Sequence, residues 1–322
     1  MSRTVPVPGA GRITLALLAV VPAVMAYPWR TPREQWVLGV AVAVVIVLFG
    51  WWGGLHFTTI LRRRLAMMRR PSHQAGSPAR TTALLRLGPP TGDQGVLPLP
   101  LIAGYLDRYG IRADRVRITS RTNPASTSAP RQTWIALTVS AADNLPALRA
   151  RSSAIPMHET TRVAVRRLAD HLREVGWEAT VSEPDVVPRL LDSAGRESWR
   201  AVQAGSGYLA AYRVSADDAL PQTLDAIASL QAREAWVALE IAEGTVAVAC
   251  ALLTDAPPSA AAPLAGLTAQ RGNQRPALAA LDLLSTERLD GHTAASDDLL
   301  KRLDWPCPVA GAHRAPLAEA GT

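Results

Sequence analysis

The sequence predicts two N-terminal transmembrane helices followed by a cytoplasmic α/β domain, with a mixed α+β arrangement as the alternative for that domain. Two observations predict the helices: a pair of uncharged apolar runs near the N-terminus, and a cluster of arginines soon after the second run. A third observation predicts the domain. From residue 81 onward, segments with the two-residue period of strands alternate with segments of helical period.

The two apolar runs differ in length. The first covers residues 13–27 and contains Pro22, whereas the second covers residues 36–55, and neither carries a charge. A spanning helix needs about 20 residues and at least about 17. Proline is tolerated in a bilayer because neighbouring helices help to satisfy the freed carbonyl group. The sequence therefore predicts a transmembrane hairpin at residues 1–61, with its helices at about 13–27 and 36–55.

The first run has a second interpretation. Arg3 and Arg12 precede an apolar core that ends in the small-residue stretch at 23–26, and this order is typical of a cleavable signal peptide. A third interpretation makes both runs buried core helices of a globular domain. The sequence favours the hairpin, because tryptophans flank the runs as the aromatic belt of a membrane protein would.

Arginine counts predict the orientation of the hairpin. The loop between the runs holds only Arg30 and Arg33. The arginines that follow the second run are Arg62, Arg63, Arg64, Arg69 and Arg70. Five minus two leaves a difference of three, worth roughly 3 kcal/mol at about 1 kcal/mol per basic residue near an anionic leaflet. The positive-inside rule therefore predicts a cytoplasmic C-terminal part, with these five arginines near anionic lipid head groups.

The remaining chain is expected to contain four regions. Residues 62–80 are predicted to form a basic juxtamembrane segment and linker, and residues 81–255 the α/β domain. Residues 256–291 are expected to be an Ala- and Pro-rich extension with a short helix, and residues 292–322 a disordered tail. Strands are predicted at 83–87, 115–119, 134–140, 177–182, 208–214, 235–241 and 245–253. Helices are predicted at 101–109, 143–148, 158–176 and 220–230.

Composition restricts the chemistry more than the partners. The net charge is +7 and the pI about 10.2, and the positive charge is almost all arginine because Lys301 is the only lysine. This charge fits nucleic acid, anionic lipid or merely a GC-rich genome. No G-x-x-x-x-G-K-[ST] occurs, so a P-loop is excluded. Cys250 and Cys307 lie in an apolar strand and a proline-rich tail, and no disulfide framework is expected.

No residue is predicted to be catalytic, cofactor-binding or metal-binding. The pair 158–159 (His-Glu) begins a zinc-protease motif, but Arg162 stands where its second histidine would be. Residues 205–210 match G-x-G-x-x-A but lead into a strand rather than a helix, which indicates a turn. His171 reads as a boundary residue of a helix. The aspartates at 217–218 precede a helix, whose N-terminal dipole they complement.

Several separated segments resemble the EccE component of mycobacterial type VII (ESX) secretion systems. They are YLDRYGI, RVRIT, WIALTVSAADNLPALRARSSAIP, RRLADHLREVGW, ESWRAV, AYRV and PLAGLTAQRGNQRPALAALDLLSTERLDG. The resemblance runs from about residue 13 to residue 291. Among the ESX systems, the sequence most resembles the EccE component of the one linked to iron and metal homeostasis. The sequence departs from the family pattern in two places: the loop TNPASTSAPR is longer, and so is the tail after Gly291.

This resemblance implies a non-catalytic structural subunit of a bacterial inner-membrane complex, multi-pass, with the bulk of the chain cytoplasmic. Its implied partners are EccB, the EccC ATPase and EccD, without cofactor, metal or nucleic acid. The alternative from the residues themselves is a membrane-tethered enzyme such as a nucleotide-sugar transferase. A third reading, a nucleic-acid-binding membrane protein, draws on Arg115, Arg117 and Arg121 of one predicted strand.

Overall fold

Two regions of different composition fold as separate units in the computed structural model, Met1–Pro71 and Ser72–Thr322. The structure describes residues 10–25, 27–28, 30–49, 51–52, 55–69, 79–91, 95–123, 131–151, 156–191, 195–295 and 297–308. The predicted linker at 71–78, the loop at 124–130 and the tail from 309 lie outside these residues.

The first unit is helical. Its elements are α1 (Ala10–Met25), α2 (Pro32–Phe49), β1 (Trp51–Trp52), β2 (Leu55–His56) and α3 (Phe57–Arg69). The helices α1 and α2 contact each other, and the buried side chains of this unit are small, namely Ala16, Ala23 and Ala41. Small residues allow two helix backbones to approach closely. The large apolar side chains of the pair instead face outward, as Leu18 and Trp36 do.

The expected membrane spans are not confirmed. Among the described residues, no helix combines the length and the apolar character that a membrane crossing requires.

The second unit alternates strands and helices along the chain. Its strands are β3 (Arg80–Pro90), β4 (Asp107–Arg108), β5 (Ile111–Thr122), β6 (Gln132–Ser140), β7 (Trp177–Ser182), β8 (Val202–Ala204), β9 (Gly207–Val214), β10 (Glu234–Ala242), β11 (Thr245–Thr254), β12 (Leu267–Ala269) and β13 (Thr293–Ala294). Its helices are α4 (Leu99–Ala103), α5 (Ala141–Arg151), α6 (Met157–Glu174), α7 (Leu220–Ala228), α8 (Gln274–Leu281) and α9 (Asp297–Arg302). Short 3₁₀ turns lie at Gly104–Leu106 and Pro184–Val186.

The strands form one sheet in the order β12-β9-β11-β10-β5-β6-β3-β7, and the short strands β4, β8 and β13 pair with β5, β9 and β11. Every pairing among the described strands is antiparallel. The fold is therefore the mixed form of the expected class, since helices packed on an antiparallel sheet make an α+β arrangement. The β10–β11 hairpin was predicted correctly around Gly244, whose φ of 65° suits a tight turn.

Both faces of this sheet are covered. Because alternate strand residues point to opposite faces, Ile118, Ile135 and Leu239 face one core, against which α6 packs. We call this the α6 face. Ala136 and Ala238 face the other core, which contains Leu278 of α8, and we call this the α8 face. The β10 strand is therefore buried on both faces, and it pairs with β5 on one side and with β11 on the other.

Most predicted elements of the second unit are present, and one is wrong. The strand at 177–182 matches β7, and the helix at 158–176 corresponds to α6. The helix predicted at 101–109 ends instead at Ala103, because the chain passes through a 3₁₀ turn into β4. Tyr109 and Gly110 both have positive φ, so they form a hairpin turn rather than a helix end.

The predicted disordered tail was wrong for residues 292–295 and 297–308. The strand β13 pairs with β11, and Trp305 is buried against the α6 face. The Trp305 indole donates a hydrogen bond to Ser120 Oγ at 3.0 Å, while Ser120 Oγ donates to the Pro306 carbonyl at 2.7 Å. These contacts are long-range, so local composition did not reveal them.

Replacing Leu168 tests the assignment of the buried face of α6. Leu168 is fully buried, whereas Arg166 on the same helix is exposed. Leu168→Asp places an unpaired carboxylate in the core and should lower the free energy of unfolding by several kcal/mol. The control Arg166→Ala should change it by no more than about 0.5 kcal/mol. Denaturant unfolding of the two variants checks the assignment, and equal effects would contradict it.

Candidate functional site

A cluster of charged side chains lies buried on the α8 face of the sheet. Arg115, Arg117 and Glu240 are at most 2% exposed, although they come from strands at the centre of the sheet. The register of β5 and β10 places Arg117 directly opposite Glu240. Buried charges are stable only when they are paired and hydrogen-bonded. The geometry around these three residues meets that requirement for most of their polar atoms.

Glu240 is the acceptor at the centre of this cluster. Arg117 donates from Nε and Nη2 to Glu240 Oε2, at 3.0 Å and 2.5 Å. Arg115 Nε lies 3.4 Å from the same oxygen. The other oxygen, Oε1, accepts from the Leu289 backbone N–H at 3.2 Å and lies 2.9 Å from His292 Nε2. Since an ionised carboxylate only accepts, His292 must carry its proton on Nε2.

The same cluster holds the C-terminal part of the chain against the sheet. Arg117 Nη1 donates to the Ala280 carbonyl at 2.5 Å, and Nη2 donates to the Glu287 carbonyl at 2.6 Å. Glu240 Oε1 binds the Leu289 N–H and His292 Nε2 of the same part of the chain. Residues 280–292 therefore obtain much of their polar anchorage from two side chains of the sheet.

A second carboxylate balances the remaining guanidinium groups. Asp114 Oδ2 accepts from Arg115 Nη1 at 2.5 Å, and Asp114 Oδ1 accepts from Arg288 Nη2 at 2.6 Å. Arg80 lies 3.8 Å from Asp114 at the more exposed edge. Arg115 Nε and Nη2 are buried without a hydrogen-bond partner among the described residues, although Nε keeps its ion-pair distance to Glu240. Two buried arginines thus face two carboxylates, and the buried charge is close to neutral.

The pKa values follow from burial and pairing. Burial alone would raise the pKa of Glu240, but the hydrogen bond with His292 and the charges of Arg117 and Arg115 outweigh it and lower that pKa to about 2. Burial lowers the pKa of Arg115 to about 10. Both groups are therefore charged near neutral pH. Because both oxygens of Glu240 accept hydrogen bonds, and those bonds reach Leu289 and His292, the cluster acts as a structural clamp on this part of the chain.

A groove of about 870 Å³ lies on the same face, near the edge strand β7. Its lining includes Arg86, Arg121, Trp134 and Glu178. Trp134 stacks on Trp236 with ring centroids 6.0 Å apart, which makes one wall rigid. No histidine or cysteine is among the described residues that line the groove.

The arginines predicted to meet lipid lie in the first unit. Arg62, Arg63 and Arg64 are on α3, where the first and third are exposed and the second is half-buried. Arg69 is the last residue of α3. Arg70 lies outside the described residues.

The weaker motifs have structural roles. Arg162 forms an ion pair with Glu183. Residues 205–210 comprise the turn of the β8–β9 hairpin and the start of β9, and Gly205 in that turn has a φ of 56°, so the predicted turn is confirmed. His171 lies on α6, with Nδ1 3.5 Å from the Tyr105 hydroxyl. The aspartates at 217–218 precede α7, where Asp217 Oδ1 accepts from the Ala219 N–H at 3.0 Å.

Sequence reasoning missed Glu240 and His292. A signal for Glu240 was present, because it is the lone charge inside the apolar stretch of β10. The partner Arg117 lies in the predicted strand RVRIT, two apolar positions of which face the other core. Only the strand register joins these residues across 123 positions of sequence.

Comparison with known proteins gives consistent matches. A family model described as "Putative type VII ESX secretion system translocon, EccE" matches residues 127–214. The chain is 59% identical to "ESX-3 secretion system protein EccE3" of Mycobacterium tuberculosis (strain CDC 1551 / Oshkosh), over 97% of each chain. It is 51% identical to the protein of the same name from Mycolicibacterium smegmatis, over 87% of this chain and 90% of the relative.

The fold and the buried cluster define a class of protein: an antiparallel α+β domain with an ionic clamp, on the same chain as an apolar helical unit. The identity to the two relatives extends across both units. The chain belongs to the EccE family of type VII (ESX) secretion system components. The resemblance stated from the sequence is thereby confirmed.

Glu240→Gln tests the clamp. Removing one partner of a buried ion pair costs about 3–5 kcal/mol, so the variant should unfold at markedly lower denaturant concentration. Glu243→Gln, in the exposed turn after the same strand, is the matched control.

The pH dependence of stability tests the same contacts, with the unsubstituted chain, Glu240→Gln and the control Glu243→Gln. The folded-state pKa of Glu240 is lowered from 4.5 to about 2, so its contribution to stability is present above pH 4.5 and is lost as the pH falls towards 2. The free energy of unfolding of the unsubstituted chain and of the control should therefore decrease over this window more steeply than that of Glu240→Gln. Identical slopes of the free energy of unfolding against pH would show that these contacts do not lower the pKa of Glu240.

Proposed function

We propose that this chain is a non-catalytic structural subunit of a type VII secretion complex in the bacterial inner membrane. Its sheet domain would lie in the cytoplasm and dock against the neighbouring subunits. The observation that carries the proposal is the 59% identity, over 97% of each chain, to a protein named as an ESX-3 secretion system protein. The sequence resemblance adds EccB, the EccC ATPase and EccD as the neighbouring subunits.

The construction of the sheet domain supports a structural role. Its central charges are paired with one another, and both oxygens of Glu240 accept hydrogen bonds. A hydrogen-bonded polar network in a core makes a structure rigid and specific. A rigid domain loses little conformational entropy when it binds, which favours a permanent place in a complex.

The exposed apolar side chains of the first unit support attachment to a membrane. Leu18 and Trp36 are 72% and 75% exposed, and Val40 and Ile46 are more than half exposed. Apolar surface of this extent is unfavourable in water, at about 25 cal/mol per Å². We propose that α1 and α2 bury it in lipid. Arg62, Arg63 and Arg64 of α3, together with Arg69 and Arg70, would then lie near anionic head groups on the cytoplasmic side.

Purification of the full-length chain in mild detergent tests the proposed role. We expect the other secretion subunits, including an ATPase, to co-purify in constant ratios measured by mass spectrometry. A chain that purifies alone, or one that shows transferase activity on nucleotide sugars, would instead favour the membrane-tethered enzyme.

Cysteine labelling tests the proposed topology. Thr31→Cys, between α1 and α2, should react with an impermeant maleimide in intact spheroplasts, whereas Glu243→Cys should react only after lysis. The two native cysteines are buried and give a low background. Labelling of Glu243→Cys in intact spheroplasts would reverse the topology. Release of the chain by alkaline carbonate would contradict its insertion in the membrane.

A further inference from the structure

The turn between β4 and β5 has an unusual residue for its geometry. Arg108 pairs with Ile111, so Tyr109 and Gly110 form a two-residue hairpin loop. Their φ angles are 57° and 70°, and Tyr109 is the one described non-glycine residue with positive φ. Such a loop favours Asn, Asp or Gly at its first position, because other side chains crowd the backbone there. Folding alone would therefore favour asparagine over this tyrosine.

The strained tyrosine is also exposed and flanked by arginines. Its side chain is 54% exposed. The guanidinium carbon of Arg167 lies 4.7 Å from its ring centroid, and that of Arg108 lies 5.3 Å away. We call Arg108, Tyr109 and Arg167 the Tyr109 patch. Strained residues that the surrounding structure holds in place are concentrated at binding sites, and Tyr and Arg dominate the energetics of protein interfaces.

The two arginines of this patch have no carboxylate partner among the described residues. The nearby acidic groups are Asp170 and Glu174, which line the same surface depression together with His171. Asp170 is already paired with Arg173. Both guanidinium carbons lie within 5.3 Å of the Tyr109 ring centroid, which is a cation–π distance. Arginine N–H groups that have no carboxylate partner in the domain can bind carboxylate oxygens from outside it.

We propose that the Tyr109 patch is the docking site for a short acidic segment of another subunit of the secretion complex. This proposal rests on the proposed function, because it requires the chain to sit in such a complex. One or two carboxylates of the partner would bind Arg108 and Arg167, and an apolar or aromatic side chain beside them would cover the ring of Tyr109.

The charges at the rim favour a peptide segment over an extended polyanion. Glu174 lies beside the two arginines, next to the Asp170–Arg173 ion pair, and its charge would repel the continuous negative charge of a nucleic acid or of an anionic membrane surface. A short segment can contact the arginines and avoid these carboxylates. Rejection of the wrong partner by such flanking charges is a usual source of specificity.

Site-specific crosslinking in cells identifies what covers the patch. The photoreactive residue benzoylphenylalanine replaces Tyr109 in the full-length chain, and the control carries it at Glu243. We expect the first chain to crosslink to a secretion subunit within a segment rich in Asp and Glu, identified by mass spectrometry. A crosslink to lipid, to nucleic acid or to a neutral or basic protein segment, or no crosslink above the control, would overturn the proposal.

Tyr109→Asn separates docking from folding. Asparagine is favoured at this turn position, so the melting temperature should stay within about 4 °C of the unsubstituted chain. The amount of complex that co-purifies under a fixed detergent wash should nevertheless fall at least about tenfold, as expected for the loss of an interface anchor. Val96→Asn, at an exposed apolar residue outside both the Tyr109 patch and the groove near β7, is the matched control and should leave co-purification unchanged.

The charge is tested with Arg108→Glu combined with Arg167→Glu. The other secretion subunits should no longer co-purify with this double variant. They should co-purify again when the acidic residues that crosslinking identifies in the partner subunit are replaced by arginine. If the unsubstituted chain co-purifies with no secretion subunit, the proposed function itself fails. If it co-purifies and the Tyr109→Asn chain co-purifies equally well, only the docking site is wrong.

Discussion

The buried pairing of Arg117 with Glu240 is the interaction on which the rest of the sheet domain depends. It lies at the centre of the sheet, where two neighbouring strands would otherwise present isolated charges to an apolar core. An unpaired charge at this depth would be prohibitive. The carbonyl groups of Ala280 and Glu287 complete the coordination of Arg117, so the C-terminal part of the chain is required for the sheet to be stable.

The strand β5 is held by the C-terminal part of the chain on both faces. On the α8 face, Arg117 binds the segment that contains Ala280 and Glu287. On the α6 face, Ser120 bonds to the Trp305 indole and to the Pro306 carbonyl. The chain therefore crosses from one face of the sheet to the other between these contacts. This arrangement makes both halves of the domain sequence parts of one cooperative structure.

The sequence predicted the elements whose signals are local. The strand at 177–182 and the β10–β11 hairpin follow from alternation and a turn glycine, and α6 follows from a helical stripe. Elements that depend on distant partners were missed. The sequence after residue 292 shows little periodicity. Trp305 is buried where it bonds to Ser120 of β5, and β13 pairs with β11, so both depend on distant residues. The Tyr105–Tyr109 spacing resembles one helical turn, so the positive φ of Tyr109 could not be read from the pattern.

The ion cluster could not be predicted from local sequence signals, because its residues come from distant parts of the chain. Arg117 and Glu240 lie 123 residues apart, and only the antiparallel register of β5 and β10 brings them together. The ion cluster keeps its charges inside and so contributes rigidity, whereas the exposed ring of Tyr109 lies beside the half-buried Arg108 and the exposed Arg167 of α6. The turn depends on the rigid sheet, because Tyr109 can keep its strained positive φ only where the strands on either side of it are firmly fixed.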